Sequence, residues 1–185
     1  MSILWLRIIE AFSTLPTGGE WWWTVGSSIL FGAIALPLGF WGKLLRPTWQ
    51  RRPAATVISA LLTSMIAPAL LEELAYRVLL IPHPTEPVSP AVRWVWIVTS
   101  LVVYIAAHPL NALTLYRRAY PTFCSPIFLL LTALLGILCT GLYWGTGSIY
   151  PPAVVHGLVV FTWLTYFGGN LVLGYEVDAG RSHPE

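Results

Sequence analysis

The sequence predicts an all-α, polytopic membrane protein: a transmembrane helix bundle of about five spans, plus or minus one, with a short N-terminal interfacial helix. Three observations predict it. Charged residues make up 10% of the 185-residue chain and hydrophobic ones 56%, with a mean hydropathy of +0.70; soluble proteins average roughly 25% charged. The apolar residues fall in long runs, and about 20 of them in a helix cross a bilayer. Ten Trp and eight Tyr fit the belts that amphipathic rings form at headgroup level, the alternative use being an aromatic platform for a substrate. A net charge of +2 with no basic helix or arm excludes nucleic acid as a partner.

Residues 1–20 carry an apolar run interrupted by Arg7 and Glu10 and closed by Pro16-Thr17-Gly18-Gly19. The run is too short to span and lacks the basic region that precedes a signal peptide's apolar part, so an interfacial helix is expected there. Residues 21–174 form the single transmembrane domain. Its first span is Trp21 to Trp41, followed at once by Lys43, Arg46, Arg51 and Arg52. The second apolar segment, Ala54 to Ile81, exceeds the length needed to cross, and Pro68 inside it should kink or break the helix. Pro82, Pro84, Pro87 and Pro90 make a stiff loop. The third span is about Val92 to Ala107, ending at His108-Pro109. A polar connection with Arg117 and Arg118 leads to the fourth span, Pro126 to Trp144. The last is about Ala153 to Leu173, and residues 175–185 are a polar tail.

Positive charge in short loops marks the cytoplasmic side. Five spans put Lys43, Arg46, Arg51, Arg52, Arg117, Arg118 and Arg181 on one side and Arg7 and Arg93 on the other, which predicts an external amino terminus. His108 then ends its span on the cytoplasmic side while His156 begins its span on the external side. A site shared by the two must lie well inside the bilayer, or the second segment must fold back at Pro68. Two cysteines, Cys124 and Cys139, would lie about 22 Å apart on one helix at about 1.5 Å per residue, and no disulfide framework or zinc-type cysteine cluster is read.

The chemistry concentrates in Leu70-Leu71-Glu72-Glu73-Leu74-Ala75-Tyr76-Arg77. Ionisable groups at membrane depth are expensive and mark function by default. Glu73 and Arg77 stand at i and i+4 with the acid first, the favourable order for a helical ion pair. Glu72 lies about 100° round the helix with no local cation, and is the carboxylate left for general-base work on water. His108 and His156 each stand alone in apolar sequence. With Glu72 they form a Glu/His/His set spread over three spans, as a site in a bundle interior requires. Such a set could also bind a divalent metal, although the HExxH spacing of zinc peptidases is absent. His83, in a polar loop, and His183, in the tail, are expected to be solvent-exposed.

These motifs carry a resemblance. Ala67-Pro68 followed by Glu72-Glu73-x-x-x-Arg77, then Tyr104-x-x-x-His108, then Gly141 to Ala153 closing on His156, resembles the CAAX-protease and bacteriocin-processing family, glutamic-type intramembrane endopeptidases related to the Ras-converting enzyme. The resemblance covers about residues 60–165. It implies that Glu72 and His108 position and activate a water, that His156 stabilises the oxyanion, and that Glu73 and Arg77 support them. It implies no metal or other cofactor, a protein or peptide substrate, and a multi-pass protein of the bacterial cytoplasmic membrane. The substrate classes it opens are prenylated CAAX proteins, bacteriocin-like peptides and carboxyl-terminal sorting anchors; the external placement of His156 leans towards the last. Two positions depart from the family pattern. Val160 stands where the family usually has Asn, and Tyr104 where it often has Phe. Val160 favours a rival reading, a non-catalytic immunity, assembly or structural subunit that keeps the fold. A metal-dependent membrane hydrolase using the same residues is the third. The absence of repeats or paired discontinuous helices argues against a transporter.

Overall fold

The computed structural model describes residues 2–48 and 51–173. The polar tail, with His183 and Arg181, lies outside the described residues. Those described form eight helices and no strand: α1 (Ile3–Ser13), α2 (Gly18–Trp41), α3 (Ala54–Val78, interrupted), α4 (Pro90–Thr114), the single turn α5 (Tyr120–Phe123), α6 (Pro126–Thr146), α7 (Tyr150–Tyr166) and the short α8 (Gly169–Leu173). Four of them, α2, α3, α4 and α6, are long and apolar enough to cross a membrane. The 17-residue α7 makes the fifth apolar helix of the bundle.

The helix starts follow local chemistry. Thr17 and Glu20 close a capping box on α2: the Glu20 amide donates to Thr17 Oγ1 and the Thr17 amide to the Glu20 carboxylate. Ser89-Pro90 and Ser125-Pro126 repeat one device, a serine cap followed by a proline whose missing N–H costs nothing at the first helical position. Gly147 ends α6 at φ 67°, a left-handed cap suited to glycine.

Two expected boundaries moved. α4 does not end at His108-Pro109 but continues through Pro109 to Thr114; a proline removes one hydrogen bond from a helix, and the apolar Leu110 to Leu113 run carries it on. The last helix closes at Tyr166, and Gly168 at φ 80° separates it from α8. Cys124 precedes α6 while Cys139 lies within it, and both are free.

α6 is the centre. Of its most apolar stretch 44% is buried, against 11–22% for the corresponding stretches of α2, α3 and α4, and it packs on α2, α4 and α7. Outer faces carry exposed apolar side chains such as Ile29, Leu30, Val95, Val98 and Val102, the lipid-facing surface of a protein that needs no polar exterior there. α1 lies across the end of the bundle where α6 turns into α7: the Ile149 amide donates to Ala11 O at 3.1 Å and the Tyr150 hydroxyl to Phe12 O at 3.0 Å.

Candidate active site

The site starts from a break in α3. Pro68 lacks an N–H and forces the residue before it out of the helical region. Ala67 accordingly sits at φ −132°, ψ 108°, non-helical backbone inside an otherwise helical segment. The break lies within one run of wide i→i+5 turns, Met65–Leu70, and a second follows at Leu74–Val78, a feature frequent at functional sites. After the break, Glu73 and Arg77 point into the protein, fully buried, while Glu72 keeps 24% of its side chain exposed.

The buried pair is held from three sides. Arg77 Nε lies 3.2 Å from Glu73 Oε2, Arg77 Nη2 donates to the Gly136 carbonyl at 3.2 Å, and the guanidinium lies 4.3 Å over the Tyr104 ring. Gly136 has to be small, because a Cβ there would stand 2.7 Å from Leu101 and 3.0 Å from Tyr104. The other Glu73 oxygen, Oε1, accepts a 2.8 Å hydrogen bond from His156 Nδ1. With Nδ1–H given to Glu73, the opposite edge of the ring faces Glu72, with Nε2 3.8 Å from Glu72 Oε2. His156 therefore stands between two carboxylates, in the second turn of α7.

His108 is fixed in the same manner. Its Nδ1 donates to the Tyr104 carbonyl at 2.9 Å, which leaves Nε2 as a bare acceptor. Phe123 and Phe128 pack around it at ring separations of 5.9 and 5.6 Å. The Tyr104 ring lies 5.0 Å from His108 and 6.1 Å from His156 and links the two. The opposite-ends difficulty disappears because α4 runs on past His108 and α3 breaks at Ala67, and the three elements meet around Tyr104 and His156.

A cavity of about 730 Å³ opens beside these groups. Glu72, Tyr104, His108, His156 and Val160 contribute to its wall, and the rest is mostly apolar. It lies between α2 and α3, which pack on α6 and α7 respectively. Its wall continues to Leu44, Leu45, Leu115 and Phe167, at the helix ends next to the basic loops. Glu73 and Arg77 stay behind it, out of its wall.

Sequence reasoning missed some of the surroundings. Cys139 sits against the pair, and Glu73, Cys139 and His156 offer ligand atoms within 4.8 Å of one another, close enough to hold an ion. An ion there would compete with the Arg77 guanidinium for Glu73. His83, expected in solvent, is 3% exposed. Its ring nitrogens contact Gly147 O at 2.9 Å and Thr85 Oγ1 at 2.8 Å, and Glu10 lies 3.1 Å away. Its loop is folded against the α6–α7 turn, a tertiary contact that a proline-rich local sequence does not announce.

Fold and centre together define a polytopic membrane protein with an acid and histidine cluster in its interior, opening on an apolar cavity. The family model for type II CAAX prenyl endopeptidase, Rce1-like, matches residues 53–162, more than half of the chain, and the chain belongs to that family. It is an integral multi-pass membrane protein of a protease family whose substrates are proteins or peptides. Every residue of the cluster falls inside the matched region. No curated protein and no solved structure matches the chain.

Proposed function

We propose that the chain is an intramembrane endopeptidase in which Glu72 is the general base, His108 orients the attacking water and His156 binds the oxyanion. One observation carries this reading. Of the two adjacent acids, Glu73 has its oxygens committed to Arg77 and His156, while Glu72 stands on the cavity wall with both histidines. Water hydrogen-bonded to His108 Nε2 loses a proton to Glu72 as its oxygen attacks the peptide carbonyl carbon. The carbonyl oxygen becomes an oxyanion beside His156, whose Nε2 donates when the ring is an imidazolium. The C–N bond then breaks, and Glu72 returns the proton to the departing amine. Glu73 and Arg77 act by holding His156 and the α3 break in position. No metal is needed for any of these steps.

The cavity wall reaches the helix ends next to Lys43, Arg46, Arg117 and Arg118, the cytoplasmic side by the positive-inside rule. We therefore assign the scissile bond to the cytoplasmic face of a bacterial inner membrane, which favours CAAX-type carboxyl-terminal processing over external sorting anchors. The apolar wall between α2 and α3 suits a substrate arriving from the bilayer with an apolar segment attached. The test compares the termini of membrane proteins in cells carrying the wild-type chain or Glu72→Ala. A defined set of termini lost in the mutant supports the reading and names the substrates.

Val160 favours a second reading, a non-catalytic subunit, because α7 offers no donor one turn beyond His156. Unchanged termini, together with Glu72→Ala rescuing the phenotype of a deletion, would select it.

A further inference from the structure

We infer that the Tyr104 hydroxyl is the second donor to the oxyanion, beside His156. This rests on the endopeptidase reading above. Tyr104 is 1% exposed, and its hydroxyl makes no hydrogen bond to a protein group among the described residues. A buried O–H normally has a partner, and leaving one unsatisfied costs about 1–3 kcal/mol. Unlike the Tyr143 hydroxyl, which is sealed in the interior, that of Tyr104 reaches cavity space. Whatever occupies the cavity is its partner.

The position fits an oxyanion donor. The ring is pinned by the Arg77 guanidinium on its face, by Tyr76 at 5.3 Å and by the close approach of Gly136 on its edge. It stands between the two histidines. A neutral phenol is a donor in every protonation state of its neighbours, and a pinned donor needs no reorganisation when charge develops. One turn beyond His156, α7 supplies no second donor, since Val160 has no N–H or O–H side-chain group; the donors that α7 does present to the cavity, Thr162 and Trp163, follow about two turns after the histidine.

The test is Tyr104→Phe, which keeps every ring contact and removes the O–H alone. The probe is a quenched peptide spanning a terminus found to depend on Glu72, cleaved by the full chain reconstituted in vesicles. We expect kcat to fall about 10²-fold, with KM and thermal melting unchanged. Adding Val160→Asn to Tyr104→Phe should restore part of kcat by putting an amide donor one turn from His156. Cleavage at the wild-type rate overturns the assignment. So does a loss confined to KM, or one that follows a lower melting temperature, either of which makes Tyr104 a packing residue. Should Tyr104→Phe not accumulate, site-specific fluorotyrosine at 104 retains the O–H and strengthens it as a donor. It should keep or raise kcat, and a fall there is equally adverse. Termini that do not depend on Glu72 overturn the endopeptidase reading itself, before Tyr104 is tested.

Discussion

Glu73 is buried, charged and touched by two cationic or donor groups from different helices, one on each oxygen. Breaking such a pair from one side costs more than never having had it, because the remaining charge stays buried; about 3–5 kcal/mol is the usual scale. Arg77→Ala should therefore reduce the yield of folded protein along with activity. Arg77→Lys should recover only part of both, since an ammonium cannot bridge Glu73, the Gly136 carbonyl and the Tyr104 face together. Folded yield and melting temperature in detergent would check this, and unaltered stability in Arg77→Ala would dismiss the pairing as structural. The ion pair was legible in the sequence because it is local, four residues apart on one helix. The Glu73–His156 bond was not, because it joins residues 83 positions apart. Nor was the crowding at Gly157, where a Cβ would stand 2.5 Å from Met65 Sδ and 3.2 Å from its Cα. Gly157→Ala should push α7 away from the α3 break and lower kcat, because it displaces the residue next to His156. A wild-type kcat in that variant would mean that the contact yields without moving the histidine.

At the scale of elements, the break in α3 and the clamp at its far end do different work. Pro68 was legible as a breaker, but the re-phasing of the following turns depends on what they pack against, and only the assembled bundle decides that. The clamp was not legible at all. Arg7 of α1 donates to both oxygens of Glu86, at 2.6 and 2.9 Å, and to the Leu79 carbonyl. Arg93 of α4 donates to the carbonyls of Pro82, His83 and Glu86. These bonds tie α1 to the 82–88 loop. Burial alone would raise the Glu86 carboxyl, but the Arg7 hydrogen bonds and the His83 amide outweigh it and hold it below its ordinary value. An acid with a depressed folded-state pKa adds stability above its unfolded pKa, about 4.3, and loses it as the pH falls through the folded value. Glu86→Gln should thus destabilise the protein by about 2 kcal/mol at neutral pH, with the gap to wild type closing below about pH 4. Melting curves of both proteins between pH 7 and 3 would check this; a gap independent of pH would assign the loss to packing alone.

At the scale of the whole molecule, the charge on the two ends is not equivalent. Arg7 and Arg93, the cations of the end covered by α1, are spent on protein carboxylates and carbonyls. Lys43, Arg117 and Arg118 at the other end are exposed, and the cavity wall extends towards that end. The bias that orients a bundle in the membrane counts short-loop Lys and Arg near the span ends, and it gives the same direction to the helices and to the cavity. The α1 end should then face outward and the cavity end the cytoplasm. With Cys124 replaced by serine and Cys139 left buried, a Pro87→Cys chain should react with an impermeant maleimide in intact cells. Lys43→Cys and Arg117→Cys chains should react only after permeabilisation. The opposite pattern would turn the cavity outward and restore external anchor processing as the favoured chemistry. It would leave the acid and histidine centre as it is, because burial and contacts fix that centre, while orientation decides which substrates reach it.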